Sequence, residues 1–266
     1  MSTRTIRLGI LVPSSNTAME PLITAMLHTI NNTIPSLHIH ITAHFSRFRV
    51  TQISLAKTAH SQFDLPTIMR AVSLLADAKV DAISWGGTSA GWLGLETDMK
   101  LCDAIEAEVS IPASTATLAL VELLHGLGDP PVGLVTPYIP EMNEAIRKTF
   151  AGVGVTIADH DRCLGITDNN EIGEVSDDQV SAMVREVLAA SEDLRFVMVF
   201  CTNLSAARLT PLLEREYQGR DPILLDSISA VVWGLLRKIG VDTRETGVAE
   251  RWGRMFDLPR ASAGKA

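Results

Sequence analysis

Short apolar runs alternate with amphipathic helical segments along almost the whole chain. This alternation constrains the fold more than any other feature, because strands joined by helical crossovers lie parallel in a sheet that the helices cover. The alternation therefore predicts an α/β fold. The predicted strands are residues 7–13, 38–45, 82–86, 132–136, 155–158, 196–200 and 223–225. The helical patterns include residues 66–78, 96–108, 115–127, 141–151, 177–190 and 227–239.

The two halves of the chain resemble each other in the order of their motifs. Residues 9–14 match 133–138, residues 83–88 match 197–202, and residues 111–116 match 222–227. We therefore predict two pseudo-symmetric Rossmann-like lobes, residues 1–128 and 129–266, each with a mainly parallel sheet flanked by helices. Residues 126–131 would form the hinge, and a short tail of the second lobe would pack back. The active site would lie in the cleft between the lobes.

Composition excludes several classes of function. The 266 residues carry a net charge of -8 without a cluster of Lys and Arg, so we expect no nucleic-acid partner. No apolar run approaches the roughly 18 residues that span a bilayer, so we expect no membrane partner. The three cysteines are widely spaced, which favours a cytoplasmic protein with reduced thiols. Because no glycine-rich phosphate loop or cysteine metal motif is present, we expect no bound nucleotide and no metal.

Five short polar segments fall at predicted turns between strands and helices. They are residues 13–17, 86–89, 137–138, 168–170 and 201–203. Such turns present backbone N–H groups, and these segments add hydroxyls, amides and a phenol. None of them contains a basic residue. Neutral donors gathered in this way predict a site for a carboxylate whose negative charge moves during a reaction.

Cys201 directly follows a predicted strand, where an open α/β sheet presents its chemistry. A thiol at this place can act as a nucleophile or as a proton donor. A cysteine at a strand end is also often a small packed residue, so position alone leaves both interpretations open. The matching position in the first half is Gly87, which brings no second thiol. A single acid does not support two-base racemisation, which needs groups on opposite faces of one carbon.

The motifs resemble those of a known superfamily. Pro-Ser-Ser-Asn-Thr at 13–17 and Cys-Thr-Asn-Leu at 201–204 are similar to maleate isomerases. Gly-Thr-Ser at 87–89, the runs 138–143 and 164–167, and the closing run 252–257 are similar to arylmalonate decarboxylases. The chain thus resembles the aspartate/glutamate racemase superfamily, within it the maleate isomerase and arylmalonate decarboxylase branch, over about residues 7–257.

The resemblance implies a two-lobed, cofactor-free enzyme and gives roles to individual residues. Racemases and maleate isomerases of this kind use one cysteine from each lobe, whereas here Gly87 stands in the first position, as in arylmalonate decarboxylases. Cys201 would then donate a proton to an enediolate. The other predicted catalytic residues, which would hold that enediolate, are Thr88, Ser89 and Tyr138. The predicted substrate-binding residues are Pro13, Ser14, Asn16, Gly87, Asn169 and Thr202, with Asn170 as the alternative to Asn169.

Three functions stay open at this level. The first is decarboxylation of a malonate-type diacid, in which a single cysteine protonates the enediolate. The alternative is cis-trans isomerisation of a maleate-type dicarboxylate with Cys201 as nucleophile, and the third is a non-catalytic carboxylate-binding protein. The expected partner is a small dicarboxylate, and a homo-oligomer stays open. Trp85 and Trp92 flank the first polar turn and either line an aryl-sized pocket or cover an edge of the core.

Overall fold

The computed structural model describes residues 3–33, 38–50, 64–217 and 219–259, and it contains two four-stranded parallel sheets. The first is built from β1 (Arg4–Pro13), β2 (Ile39–Phe48), β3 (Ala82–Trp85) and β4 (Ala113–Thr115), in the order β2-β1-β3-β4. The second is built from β5 (Val132–Thr136), β6 (Ile157–Cys163), β7 (Phe196–Val199) and β8 (Ile223–Asp226), in the order β6-β5-β7-β8. The strands of the two sheets follow the same order when each half is counted from its own first strand. This confirms the predicted α/β class with two similar halves.

Helices connect the strands of both sheets. Those of the first half are α1 (Met19–Thr33), α2 (Leu65–Asp77), α3 (Ala90–Leu93), α4 (Leu95–Val109) and α5 (Ala116–Gly126). Those of the second half are α6 (Pro140–Ala151), α7 (Asn169–Gly173), α8 (Asp177–Ala190), α9 (Thr210–Glu216) and α10 (Ser227–Lys238). The tail holds α11 (Ala249–Trp252) between two 3-10 turns, Thr243–Glu245 and Arg254–Asp257.

Two strands differ from their predictions. Strand β4 is absent from the predicted set because three residues are too short to show a periodic pattern. Strand β6 was expected over residues 155–158, but it spans Ile157–Cys163 and is rich in charged side chains. It lies at the edge of its sheet, where one side of the strand is free of sheet neighbours and charged residues are tolerated. Charge there masks the apolar pattern on which the prediction depended.

The backbone makes the two halves equivalent residue by residue at the sheet ends. The N–H of Gly86 donates to the end of β1 at 2.9 Å, and the N–H of Phe200 donates to the end of β5 at the same distance. The residues that follow them, Gly87 and Cys201, therefore occupy matching places. This is the equivalence that the sequence comparison predicts.

Close packing across the halves depends on a small residue. Gly91 of α3 faces the ring of Phe200, and a Cβ at this glycine would lie 2.4 Å from the Phe200 Cε1 atom. Phe150 packs edge-on against the Phe200 ring, with 5.5 Å between the ring centroids. Helix α3 can therefore approach the second half only because residue 91 lacks a side chain.

The tail joins both halves. Trp252 donates its Nε1–H to the Thr29 hydroxyl of α1 at 3.0 Å. The two oxygens of the buried Glu214 carboxyl group accept the N–H of Leu224 and the N–H of Arg254, each at 3.0 Å. Helix α10 also packs on α5 and β4 of the first half. The division of the chain at residue 128 stays a prediction. No helix among the described residues is long and apolar enough to cross a membrane.

The close approach at Gly91 predicts a stability effect. Gly91→Ala is expected to lower the free energy of unfolding by about 1–3 kcal/mol, because the added methyl overlaps the Phe200 ring. Chemical denaturation measures it. Leu74→Ala is the control, since Leu74 is 63% exposed and its truncation should change the value by no more than about 0.5 kcal/mol. Equal effects of the two substitutions would contradict the packing described.

Three buried carboxyls predict how stability depends on pH. Burial raises the pKa of Asp98, Glu214 and Asp226 to about 7, from ordinary values near 4. The folded protein therefore keeps protons that the unfolded chain releases. The resulting stabilisation is complete below about pH 4 and is lost as the pH rises through 7.

The free energy of unfolding should thus fall between about pH 5 and pH 8, by on the order of a few kcal/mol. Urea denaturation at the two pH values measures the difference. Asp98→Asn, which cannot ionise, should make that difference smaller. A protein that is more stable at pH 8 than at pH 5 would contradict the burial of these groups as protonated acids.

Candidate active site

The predicted polar turns meet around one small cavity between the two sheets. All of the predicted catalytic and substrate-binding residues except Ser14 line it. The cavity volume is about 20 Å³, room for little more than one water molecule, so a larger ligand must displace part of the wall. The described lining consists of Pro13, Asn16, Val50, Trp85, Gly87, Thr88, Ser89, Trp92, Tyr138, Asn169, Cys201 and Thr202.

Cys201 is the one cysteine among the described lining residues, and its side chain is a neutral thiol. Burial raises the pKa of Cys201 above its ordinary value, against smaller opposing effects of hydrogen bonds from Tyr138, Asn203 and Leu204. The N–H of Asn203 lies 3.4 Å from the sulfur. Burial also raises the pKa of Tyr138 well above its ordinary value, so the phenol beside the thiol keeps its proton too. The free site is therefore uncharged at its centre.

Three hydroxyl groups extend this neutral centre. The Thr88 hydroxyl and the Tyr138 hydroxyl share a hydrogen bond of 2.9 Å. Ser89 precedes α3, but its side chain makes no cap hydrogen bond with that helix. Ser89 thus does not serve as an ordinary helix cap, and it lines the cavity together with Thr88 and Tyr138. The arrangement places donors where an enediolate oxygen could be held.

Thr202 and Asn16 tie the loop of the cysteine to the first half. The Asn16 side-chain amide donates to the Thr202 carbonyl at 2.9 Å, and its oxygen accepts the N–H of Met19 at the same distance. The Thr202 hydroxyl donates to the Gly86 carbonyl at 2.8 Å. Because the Asn16 amide already has partners, this residue positions the Cys201 loop in addition to lining the cavity.

The structure distinguishes the two candidate asparagines. Asn169 is buried, lines the cavity and donates to the Ser15 hydroxyl at 2.7 Å. Asn170 is exposed, and both its backbone N–H and its side-chain amide bond to Asp168. Asn169 is therefore the residue of this pair that faces the site.

Ser14 is a predicted substrate-binding residue that the structure places outside the cavity. It is exposed, and its hydroxyl is 3.3 Å from the Val50 carbonyl and 3.2 Å from the Val50 N–H. The reason is a tight turn in which the Asn16 N–H bonds to the Pro13 carbonyl at 2.9 Å. This turn directs Ser15 inward and Ser14 outward, so Ser15 supports Asn169 from behind the wall.

The segment at Cys201 also differs from its prediction. It was expected to lead directly into a helix, but turns follow it and α9 begins only at Thr210. A helix N-terminus therefore does not supply the donors at the sulfur. The individual N–H of Asn203 does so instead. The other two cysteines, Cys102 in α4 and Cys163 at the end of β6, lie outside the described lining.

Arg47 is a supporting residue that sequence analysis did not identify. Its guanidinium donates to the carbonyls of Ser14 and Asn16 at 2.9 and 3.0 Å, and to the Glu20 carboxylate at 2.8 Å. Arg47 thereby fixes the first polar turn from outside the cavity. Its signal in the sequence is weak, because it belongs to the neighbouring strand β2 and reaches the turn only through sheet register.

Bulky side chains close the rest of the cavity. Trp85 packs on Phe48 with 4.9 Å between ring centroids, and Trp92 meets Tyr138 edge-on at 5.2 Å. The Trp92 indole nitrogen is buried and has no hydrogen-bond partner in the described part of the chain. The two tryptophans that the sequence places beside the turn thus line the site, and Val50 was not anticipated.

Comparisons with known proteins agree with this architecture. Maleate isomerase from Alcaligenes faecalis is 26% identical over 250 residues, which are 91% of this chain and 94% of that protein. Maleate isomerase from Nocardia farcinica is 28% identical over 249 residues, 91% of this chain and 93% of that protein.

Solved structures show the same fold. A cysteine-to-serine mutant of the Nocardia farcinica maleate cis-trans isomerase, with a covalently bound succinylcysteine intermediate, superposes with a TM-score of 0.81 at 23% identity, over 97% of this chain and all of that one. A crystal structure of arylmalonate decarboxylase superposes with a TM-score of 0.70 at 20% identity, over 95% of this chain and all of that one.

The comparisons confirm the branch to which the motifs pointed. The family model described as arylmalonate decarboxylase matches residues 30–255, which is most of the chain. The protein therefore belongs to the arylmalonate decarboxylase family.

Proposed function

We propose that the protein converts a short dicarboxylate without a cofactor, and that its reaction is cis-trans isomerisation of a maleate-type substrate. The observation that carries the proposal is the buried Cys201 side chain, which lies beside Tyr138 and among hydroxyl and amide groups in one small cavity. The sequence relatives described above, all maleate isomerases, span about nine-tenths of both chains and support isomerisation over decarboxylation.

A neutral thiol can catalyse this isomerisation with a balanced set of bonds. The sulfur of Cys201 adds to one alkene carbon, and the thiol proton passes to the other, which gives an S-succinyl adduct. Rotation about the new carbon–carbon single bond exchanges the cis and trans arrangements. A proton then leaves the same carbon and returns to the sulfur as the carbon–sulfur bond breaks, and the trans diacid and the thiol are released.

The residues around the thiol match the charges that develop in these steps. Addition of sulfur moves an electron pair on to the neighbouring carboxylate, which becomes an enediolate. Hydroxyls of Thr88 and Ser89 lie in the wall as donors for it. Tyr138, within hydrogen-bonding contact of both Thr88 and Cys201, is placed to carry the proton between sulfur and carbon.

The walls of the cavity favour a small substrate. Trp85 and Trp92 already occupy the space beside the turn, and the free volume is about 20 Å³. A four-carbon diacid needs a smaller rearrangement than an aryl-substituted malonate does. We therefore assign the site to a short diacid, and not to an aryl compound.

Decarboxylation of a malonate-type diacid is the second candidate, and one observation favours it. In an arylmalonate decarboxylase variant a glycine becomes cysteine and a cysteine becomes serine, at positions separated by as many residues as Gly87 and Cys201. In this reaction a carbon–carbon bond breaks, carbon dioxide leaves, and the enediolate takes the Cys201 proton, which solvent then replaces. A neutral Cys201 thiol can protonate the enediolate in this reaction as well as it can add to an alkene.

Product analysis tests the assignment. Wild-type protein is expected to convert maleate to fumarate faster than it releases carbon dioxide from methylmalonate or phenylmalonate. Cys201→Ala should reduce turnover roughly a thousand-fold or more, because the reacting group is removed. Cys163→Ala is the matched control and should retain activity, since Cys163 lies outside the described lining. Carbon dioxide from a malonate without fumarate from maleate would select the second candidate.

Retained turnover in Cys201→Ala would contradict both reactions. Unchanged maleate binding in that variant, together with no turnover in wild type, would instead identify a carboxylate-binding protein.

The protonated thiol predicts the pH dependence. Since burial raises the pKa of Cys201, the thiol stays neutral through neutral pH, and thiol addition keeps its proton within the site. We expect kcat/KM for maleate to stay level between about pH 7 and 9 and to fall at higher pH. Steady-state rates in overlapping buffers measure it. A rate that climbs about tenfold per pH unit over this range would show that the reaction starts from a thiolate.

A further inference from the structure

The position opposite Cys201 is occupied by an indole ring. A Cβ built on Gly87 would lie 2.1 Å from Cζ2 of Trp85 and 2.3 Å from its Cε2. Real atoms do not approach so closely, so residue 87 has to be glycine while Trp85 keeps this place. Trp85 is 2% exposed, and Phe48 packs against its ring. The cavity wall therefore has no empty space where the side chain of a second cysteine could stand.

A second cavity lies behind this indole. Its volume is about 410 Å³, much larger than that of the reaction cavity. Trp85 and Ser89 line both cavities, so these two side chains form the partition between them. Apolar side chains make up much of its described lining, among them Ile68, Leu93 and Leu101.

We propose that Trp85 determines substrate specificity. Its indole restricts the reaction cavity to an unsubstituted short diacid, and the space behind it would take an apolar substituent on the substrate if the ring were smaller. The proposal rests on the proposed function, because it takes the Cys201 cavity as the substrate site. Trp85 and Gly87 act as one unit, since the indole that closes the partition also excludes any side chain at residue 87.

The physical basis is steric and apolar. A rigid wall discriminates against a substituent that would overlap it, whereas an apolar pocket gains about fourfold or more in affinity for each methylene that it buries well. Trp85→Phe removes Cζ2 and Cη2, two of the three indole atoms that a side chain at residue 87 would meet, and it leaves a ring for Phe48 to pack against. The partition would open without an empty space as large as that left by alanine.

Binding measurements test the proposal without requiring turnover. Dissociation constants for malonate and 2-butylmalonate are measured by calorimetry for wild type and for Trp85→Phe. Trp233→Phe is the matched control, because Trp233 is also buried but belongs to the described lining of neither cavity. The preference for 2-butylmalonate over malonate is expected to rise about tenfold or more in Trp85→Phe and to stay unchanged in Trp233→Phe.

A thermal-unfolding cycle tests the Trp85–Gly87 unit independently. Gly87→Ala should lower the unfolding temperature in the wild-type background and lower it far less in the Trp85→Phe background. An equal loss of unfolding temperature in both backgrounds would overturn the proposal, and so would an unchanged binding preference in Trp85→Phe. Neither outcome contradicts the proposed function as long as malonate binds. If neither diacid binds wild type or the variants, the specificity role of Trp85 fails, whereas the proposed function fails only if maleate is not converted.

Discussion

The hydrogen bonds of Thr202 hold the two halves of the site in register. Its carbonyl accepts the Asn16 amide, and its hydroxyl donates to the Gly86 carbonyl, so the loop that carries the thiol is fixed to the ends of β1 and β3. Asn16 in turn caps the start of α1, and Arg47 holds the same turn from outside. The position of Cys201 thus depends on groups far from it in sequence, and a change in any of them would move the sulfur.

Burial determines the chemistry available at this junction. None of the described lining residues carries a formal charge, and the basic group nearest the turn, Arg47, is paired with Glu20. A dicarboxylate would exchange its water shell for fixed hydroxyl, amide and indole dipoles. Such dipoles can be aimed at the charge of an enediolate, whereas a permanent cation would hold substrate and transition state alike. The raised pKa of Cys201 follows from the same dry surroundings.

Much of this architecture could be predicted from the sequence, because it depends on periodicity and internal repetition. The bounds of β5 and the equivalence of Gly87 with Cys201 follow from patterns that the backbone must respect. Features set by the direction of single side chains could not be predicted. The turn from Pro13 to Asn16 directs Ser15, and not Ser14, inward, and Arg47 reaches the site through strand register. Steric conflict between Trp85 and a side chain at residue 87 is likewise visible only in three dimensions.

The central claim is that the Cys201 sulfur meets the reacting carbon while neutral donors hold the adjoining carboxylate. A crystal structure of Cys201→Ser with bound maleate tests it most directly. The account predicts an alkene carbon in van der Waals contact with the serine hydroxyl and carboxylate oxygens hydrogen-bonded to Thr88, Ser89 or Tyr138. Maleate bound with its carbons away from residue 201, or held by charged residues outside this cavity, would contradict the account.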